Sequence, residues 1–175
     1  TKEMAISRLL IGIKLPSLDD ELLFHKMKHS IYIALHTMIG DASDIHQQWI
    51  DQDIIHQAVQ YQITHVKGAD HLVIQVPTEY PEKVLKDIEF IFNQDVKRYI
   101  DTETFNRLKK TVNASQILSL DQHENKMFQY LKAHFKGIDM FQIMDAINDV
   151  NYDDVCNYGN QLREYPISSL IAKKK

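Results

Sequence analysis

Alternating apolar and polar residues in the segment 55–76 constrain the fold more than any other feature of the sequence. Val59, Tyr61 and Ile63 alternate with glutamine and threonine, which is the period of a strand with one buried and one exposed face. A turn-forming run that contains a glycine follows, and a second alternating stretch ends at Pro77. We therefore predict a long antiparallel hairpin, on which the helices of the chain pack.

Strand and helix patterns occupy the rest of the chain. Two further strands are predicted, at 5–15 and 167–172. Helical periodicity and capping residues predict helices at 19–40, within 41–53, and at 81–100, 102–120, 121–137, 140–147 and 152–163. This order of elements indicates an α+β fold, a mainly antiparallel sheet with helices packed on one face. The length fits a single domain, residues 1–175.

Capping and core-facing residues refine three of these helices. Capping boxes, in which a side chain accepts from the first free backbone N–H groups, are predicted for Ser17 with Asp20, Asp121 with Glu124, and Asn151 with Asp154. Apolar residues at helical spacing predict the core face of the first long helix: Leu23, Met27, Ile31, Ala34, Leu35 and Met38.

Composition and charge limit the partners and the location. The net charge is -4 and the only basic block is 173–175, expected to be a solvated or truncated end, so a nucleic-acid partner is not expected. Cys156 is the only cysteine, which excludes a disulfide within the chain and favours the reducing cytoplasm. No apolar run approaches the ~20 residues that span a bilayer, so no membrane segment is expected. Because the chain begins at Thr1, we expect a fragment of a longer polypeptide.

Three histidines of the first long helix are the sharpest local signal for chemistry. His25 and His29 are four residues apart, a spacing that lets two imidazoles bind one metal, and His36 falls on nearly the same face. However, Lys26 and Lys28 stand where a metal peptidase would have a carboxylate, and the helical period places the histidines opposite the apolar stripe. We therefore predict a solvated histidine face, with a metal site as the alternative.

Other candidate groups have simpler structural interpretations. His123 precedes Glu124, which the predicted capping box already uses. Cys156 is expected to be a small buried residue, and the pair Ser168 and Ser169 lacks the glycines of a nucleophile elbow. The remaining functional feature is an exposed sheet edge, which can accept an extended peptide as an added strand.

Four segments, in this order and spacing, resemble one half of an insulinase-like zinc peptidase, the family of pitrilysin and the mitochondrial processing peptidases. The segments are 8–14, 43–55, 100–110 and 141–155. Together they are most similar to the later domains of bacterial processing-peptidase-like proteins. The resemblance implies that such α+β domains face each other in pairs across a chamber that encloses a peptide.

The resemblance also implies that this chain is not the catalytic domain. The catalytic domain of the family carries an inverted zinc motif, H-x-x-E-H, which this sequence lacks. Active relatives place an Arg and a Tyr near the entry to the hairpin, where this chain has Ile50 and either Ile55 or His56. No catalytic, cofactor-binding or metal-binding residue can therefore be assigned, and any zinc would lie in a catalytic half of the parent protein or in a partner.

The leading interpretation is thus an inactive domain that forms one wall of a peptide-binding chamber. Its expected partners are a second similar domain, in the same polypeptide or in a partner chain, and a peptide substrate. One alternative is a metal-dependent hydrolase that uses His25, His29 and an unidentified third ligand. Another is a purely structural subunit-interaction domain that binds no peptide.

Overall fold

The computed structural model describes residues 6–66 and 68–173, apart from the side chains of Gln116 and Ser119. The strands are β1 Arg8–Lys14, β2 Gln60–Thr64, β3 His71–Pro77 and β4 Ile167–Ala172. The helices are α1 Glu21–Met38, α2 Asp44–Asp51, α3 Pro81–Phe92, α4 Thr102–Asp121, α5 His123–Phe135, α6 Met140–Asn148 and α7 Tyr152–Gln161. Single-turn 3-10 helices follow α3 and α7, at Val96–Arg98 and Leu162–Glu164.

The four strands form one antiparallel sheet in the order β2-β3-β1-β4. Ile11 lies at its centre, opposite Ile74 of β3 and Ser169 of β4. Alternate residues of the two central strands are fully buried on the face that the helices cover: Leu9, Ile11, Ile13, Leu72, Ile74 and Val76. The predicted α+β fold, with a mainly antiparallel sheet and helices packed against it, is confirmed.

The hairpin is present, but its first strand is shorter than predicted. Ile55 forms only an isolated bridge with Thr78, and β2 begins at Gln60. Asp53 has a φ of 54°, which reverses the chain after α2, and the Thr78 hydroxyl donates to the Ile54 carbonyl at 2.6 Å. This turn and this hydrogen bond keep residues 55–59, which precede β2, out of the strand ladder. The predicted first strand residue Ala5, turn residue Lys67 and end of the basic tail lie outside the described residues.

The start of α1 differs from the predicted capping box. Asp20 is the N-cap, and its Oδ1 accepts from the N–H groups of Leu22 and Leu23 at 2.8 and 3.0 Å. The Ser17 hydroxyl instead accepts from the N–H of Gly68 at 3.1 Å, in the hairpin turn. Leu23 is 40% exposed, so the predicted core face is wrong at this position, and Phe24 is buried in its place.

Two other helix boundaries were also predicted incorrectly. The helix predicted at 81–100 ends at Phe92, and the chain continues through a 3-10 turn that buries Val96, whose N–H donates to Asn160 Oδ1 at 3.0 Å. Asp121 is the last residue of α4 and makes no capping box with Glu124. The box of Asn151 with Asp154 at the start of α7 is confirmed.

Close packing of α1 against α7 depends on a glycine. A Cβ on Gly159 would lie 2.9 Å from the Cβ of Ala34 and 2.8 Å from Cγ2 of Val96. Real side chains do not approach this closely, so only glycine allows α7 to lie against α1 at this distance. With the sheet on one side and α6 and α7 on others, α1 is the central helix of the fold.

Candidate functional site

The three histidines of α1 do not share one solvated face. His29 is only 6% exposed, which makes the predicted solvated face wrong for this residue. Its Nδ1 donates to the carbonyl oxygen of His25 at 2.7 Å. The rings of His25 and His29 are nearly parallel, with their centroids 6.3 Å apart. These contacts hold the two imidazoles in a stack along the helix.

The charges around this pair are positive. The pKa of His25 is lowered to about 3, chiefly by burial and then by the charges of the nearby Lys28, His29 and Lys136. Burial also lowers the pKa of His29 to about 4, against the opposing effect of its hydrogen bond to His25. Both imidazoles are therefore neutral at pH 7. Neutral imidazole is the form that binds metals, but the neighbouring lysines would repel a cation.

His36, the third histidine of the helix, belongs to a different environment. Its Nδ1 lies 3.1 Å from Asp41 Oδ1, and its ring contacts Tyr61 with the centroids 5.4 Å apart. Across residues 6–66 and 68–173, no three His, Cys, Asp or Glu side chains are grouped so that they could hold a metal ion. The structure therefore brings His25 and His29 together without the third ligand that the metal alternative requires.

A polar network that the sequence did not reveal lies next to the histidine pair. His65 follows β2, and its Nε2 lies 3.0 Å from Glu21 Oε1 while its Nδ1 lies 2.8 Å from Asp70 Oδ1. Lys136, just after α5, lies 2.8 Å from the second oxygen of Glu21. This chain of polar contacts joins the start of α1, the hairpin turn and the end of α5.

Asp70 is the buried member of this network. Its carboxylate is fully buried and also accepts from the N–H groups of Val66 at 2.9 Å and Leu18 at 3.3 Å. Each oxygen of Asp70 and Glu21 is thus already within hydrogen-bond distance of a nitrogen of the chain itself. This arrangement is that of a structural clamp, because no carboxylate oxygen remains open toward a substrate.

The depressed pKa of His29 predicts acid sensitivity. Folded His29 stays neutral down to about pH 4, whereas an unfolded histidine is protonated below 6.5, so the unfolded state binds more protons in this window. Stability is therefore expected to fall as the pH falls. Between pH 6.5 and 4.5 the wild-type chain should lose about 2 kcal/mol more than His29→Gln, measured by urea unfolding. Equal losses of stability in the two proteins would contradict the lowered pKa of His29.

The two edges of the sheet differ in what covers them. At the β2 edge, the N–H of Ile63 donates to the hydroxyl of Tyr32 on α1 at 3.2 Å. At the β4 edge, Ser168, Ser169 and Leu170 are consecutive exposed residues, so both faces of this strand are open to solvent there. The edge of β4 is therefore the more accessible one.

Hydrogen bonds next to β1 identify which groups of β4 point outward. The N–H of Leu15 donates to the carbonyl of Asp70 at 2.8 Å, so the odd-numbered residues of β1 bond to β3. Even-numbered residues of β1 must then bond to β4, through Ser168 and Leu170. It follows that the N–H and C=O groups of Ser169 point away from the sheet, as do those of the residues two before and two after it.

The other residues singled out in the sequence lie apart from these features. Ile50 is partly exposed on α2, Ile55 is buried at its isolated bridge, and His56 is exposed. Cys156 is buried in α7 as predicted, and burial raises the pKa of its thiol. None of the helices in the described part is long and apolar enough to cross a membrane.

Solved structures with this fold come from zinc peptidases and their homologues. A protein from Alicyclobacillus acidocaldarius, assigned as an M16-like peptidase, matches with a TM-score of 0.82 and 17% identity over 99% of this chain and 42% of its own length. A protein assigned as a zinc protease from Bordetella pertussis Tohama I matches with a TM-score of 0.73 and 11% identity, over 99% of this chain and 97% of its own.

A third structure is the inactive peptidase domain of a protein assigned as a zinc protease from Bordetella parapertussis. It matches with a TM-score of 0.76 and 11% identity, over 99% of this chain and 95% of its own. No family model matches the sequence, and no curated protein does. This chain spans less than half the length of the Alicyclobacillus protein and nearly all of the two Bordetella chains. It therefore has the fold of an M16-like peptidase domain.

Proposed function

We propose that this chain is a non-catalytic domain of an M16-like peptidase-type protein, which forms one wall of a peptide-binding chamber and packs against a second, similar domain. The fold supports this proposal, because one of the structures that share it is an inactive peptidase domain. The Alicyclobacillus protein, of which the match covers 42%, has room for a second domain of similar size. Any zinc of the parent protein would belong to its catalytic half.

The observation that carries peptide binding is the edge of β4. Outward-pointing N–H and C=O groups, as at Ser169, can bond to an extended peptide in the way that a further strand would. The β2 edge is less suitable, since Tyr32 already occupies the N–H of Ile63. The proposed mechanism is therefore capture of a peptide backbone, with no bond made or broken by this chain.

The rival function, a metal-dependent hydrolase centred on His25 and His29, is weaker on chemical grounds. The family's zinc motif has glutamate and histidine side by side, whereas His25 and His29 are separated by two lysines and a methionine. The pKa of His25 is lowered in part by the charges of Lys28 and Lys136, and these charges also oppose a divalent cation. The residues present do not fit the metal.

A proline at Ser169 tests the proposed binding edge. Proline has no N–H, and edge strands tolerate it, so Ser169→Pro should remove one outward donor and keep the bonds from β4 to β1. Losing a peptide hydrogen bond should weaken binding roughly tenfold. The probe is a set of fluorescein-labelled tryptic peptides of casein, and the measurement is fluorescence anisotropy. Ser169→Ala, which keeps the N–H, is the matched control and should bind like the wild type.

Two outcomes would count against the proposal. Equal peptide affinity of Ser169→Pro and Ser169→Ala would mean that the peptide does not bind at the edge of β4. No binding by the wild-type chain would favour the structural alternative, a domain that contacts only a partner subunit. Circular dichroism of both variants checks that the fold is intact.

A further inference from the structure

The exposed apolar side chains of the molecule are concentrated on and around α5. Eight of the 14 large apolar side chains that are exposed in the described part lie between residues 117 and 141, a small fraction of the chain. Such a concentration is unusual on a free surface and is typical of an interaction site. The eight are Ile117, Leu118, Met127, Phe128, Tyr130, Leu131, Phe135 and Phe141.

Helix α5 has its apolar face directed away from the protein. Met127, Leu131 and Phe135 follow each other at intervals of four residues, and Phe128 lies beside them, so the four share one face. All four are exposed, Phe135 by 83%. The buried residue of the helix is Ala133, only 2% exposed, which the helical period places on the opposite side. We call the outward side the α5 face, made of these four apolar residues.

The α5 face does not contribute to the hydrophobic core. The core and the partly buried residues packed against it include Phe105, Leu108 and Val112 from the first half of α4, but no described residue of α5. At its end α5 is joined to the body by the ion pair of Lys136 with Glu21. A surface helix normally turns its apolar side inward. Because the α5 face points outward, a binding partner is required to cover it.

The charge around the α5 face indicates what kind of partner covers it. Residues 102–136 contain six Lys and Arg against three Asp and Glu, whereas the whole chain has 20 against 24. At the border of the α5 face, Lys132 lies over the ring of Phe128, 4.5 Å from its centroid. Two copies joined through this face would bring like charges together, so the same surface of a second copy is disfavoured.

We propose that the α5 face is the docking surface for the second domain of the assembly, and that this domain presents an apolar patch bordered by acidic residues. This inference rests on the proposed function, which supplies a second domain of similar fold. The acidic border is required by Lys132, whose positive charge acts together with that of Lys136 on Lys28 of α1. The apolar patch is required by the four side chains that would otherwise remain in water.

Hydrogen exchange on the native assembly tests the proposal. The protein is purified from its own host through a tag on this chain and compared with the 175-residue chain alone. Amides of α5 should exchange at least roughly tenfold more slowly in the assembly. Phe128→Glu/Phe135→Glu should abolish this protection. Phe90→Glu, at an exposed position of α3, is the matched control and should keep this protection.

Zero-length carbodiimide cross-linking identifies the occupant. The proposal expects Lys132 to join to Asp or Glu of a second M16-like domain. Cross-links only between isotopically distinct copies of this chain would overturn it, as would unchanged exchange of α5. Binding of the isolated chain to vesicles of phosphatidylcholine and phosphatidylglycerol, lost in Phe128→Glu/Phe135→Glu, would also overturn it in favour of a lipid surface.

The docking surface and the peptide edge can fail separately. Protection of α5 by a second domain, with no effect of Ser169→Pro on peptide binding, would support docking and refute the role of β4. Peptide binding lost in Ser169→Pro, with α5 unprotected in the assembly, would support the binding edge and refute docking.

Discussion

Replacing Asp70 with alanine is expected to lower the free energy of unfolding by about 3 to 5 kcal/mol. The carboxylate is fully buried, and it accepts from His65 and from the backbone N–H groups of Leu18 and Val66. Alanine would remove the shared acceptor of these three donors at a position that is itself fully buried. A buried donor that loses its partner costs about 1 to 3 kcal/mol, so three such losses, each toward the lower end because the donors are only partly buried, account for the expected effect.

Asp70→Asn is the matched control for this prediction. It keeps the size of the side chain and one carbonyl acceptor but removes the charge, so its loss should be clearly smaller than that of alanine. Urea unfolding of both variants measures the two values. A loss below about 1 kcal/mol for Asp70→Ala would show that the network does not hold the hairpin turn to α1.

Replacing Trp49 with alanine is expected to have a similarly large effect, about 3 to 5 kcal/mol. Trp49 is fully buried and anchors α2, and its indole N–H donates to Asp87 Oδ2 of α3 at 2.9 Å. Alanine would open a cavity and leave α2 without its main packing contact. The free energy of unfolding is again obtained from urea denaturation.

Trp49→Phe separates packing from hydrogen bonding. The smaller ring fills much of the cavity but cannot donate to Asp87, which retains an ion pair with Lys83 at 3.0 Å. We therefore expect phenylalanine to recover more than half of the stability that alanine loses. Equal losses for both variants would mean that the hydrogen bond, and not the buried ring, fixes α2.

The strands were predictable from local sequence. A period of two between apolar and polar residues locates β1 and β3, the stretch 167–172 is long enough to predict β4, and Pro77 ends β3 as predicted. The first hairpin strand is predicted too long, because the bond from Thr78 to Ile54 joins residues that are 24 positions apart in sequence. The helix break before Val96 likewise depends on Asn160.

The histidine pair shows why the site was harder to predict than the sheet. A helical wheel assumes one buried side, and His29 falls opposite the apolar stripe that the helical period predicts as the core face. In the fold α1 is central, so Phe24, His29 and Ile33 are all buried and no single solvated side exists. The clamp of Glu21, His65 and Lys136 joins residues up to 115 positions apart, which no local pattern contains.

The zinc content of the purified chain tests the central claim, that this domain binds a peptide and has no metal-dependent catalytic site of its own. The chain is loaded with zinc, dialysed and measured by elemental analysis, beside His25→Ala/His29→Ala. We predict no stoichiometric zinc in either protein. About one zinc per wild-type chain, lost in the double variant, would contradict the account and establish a metal site on α1.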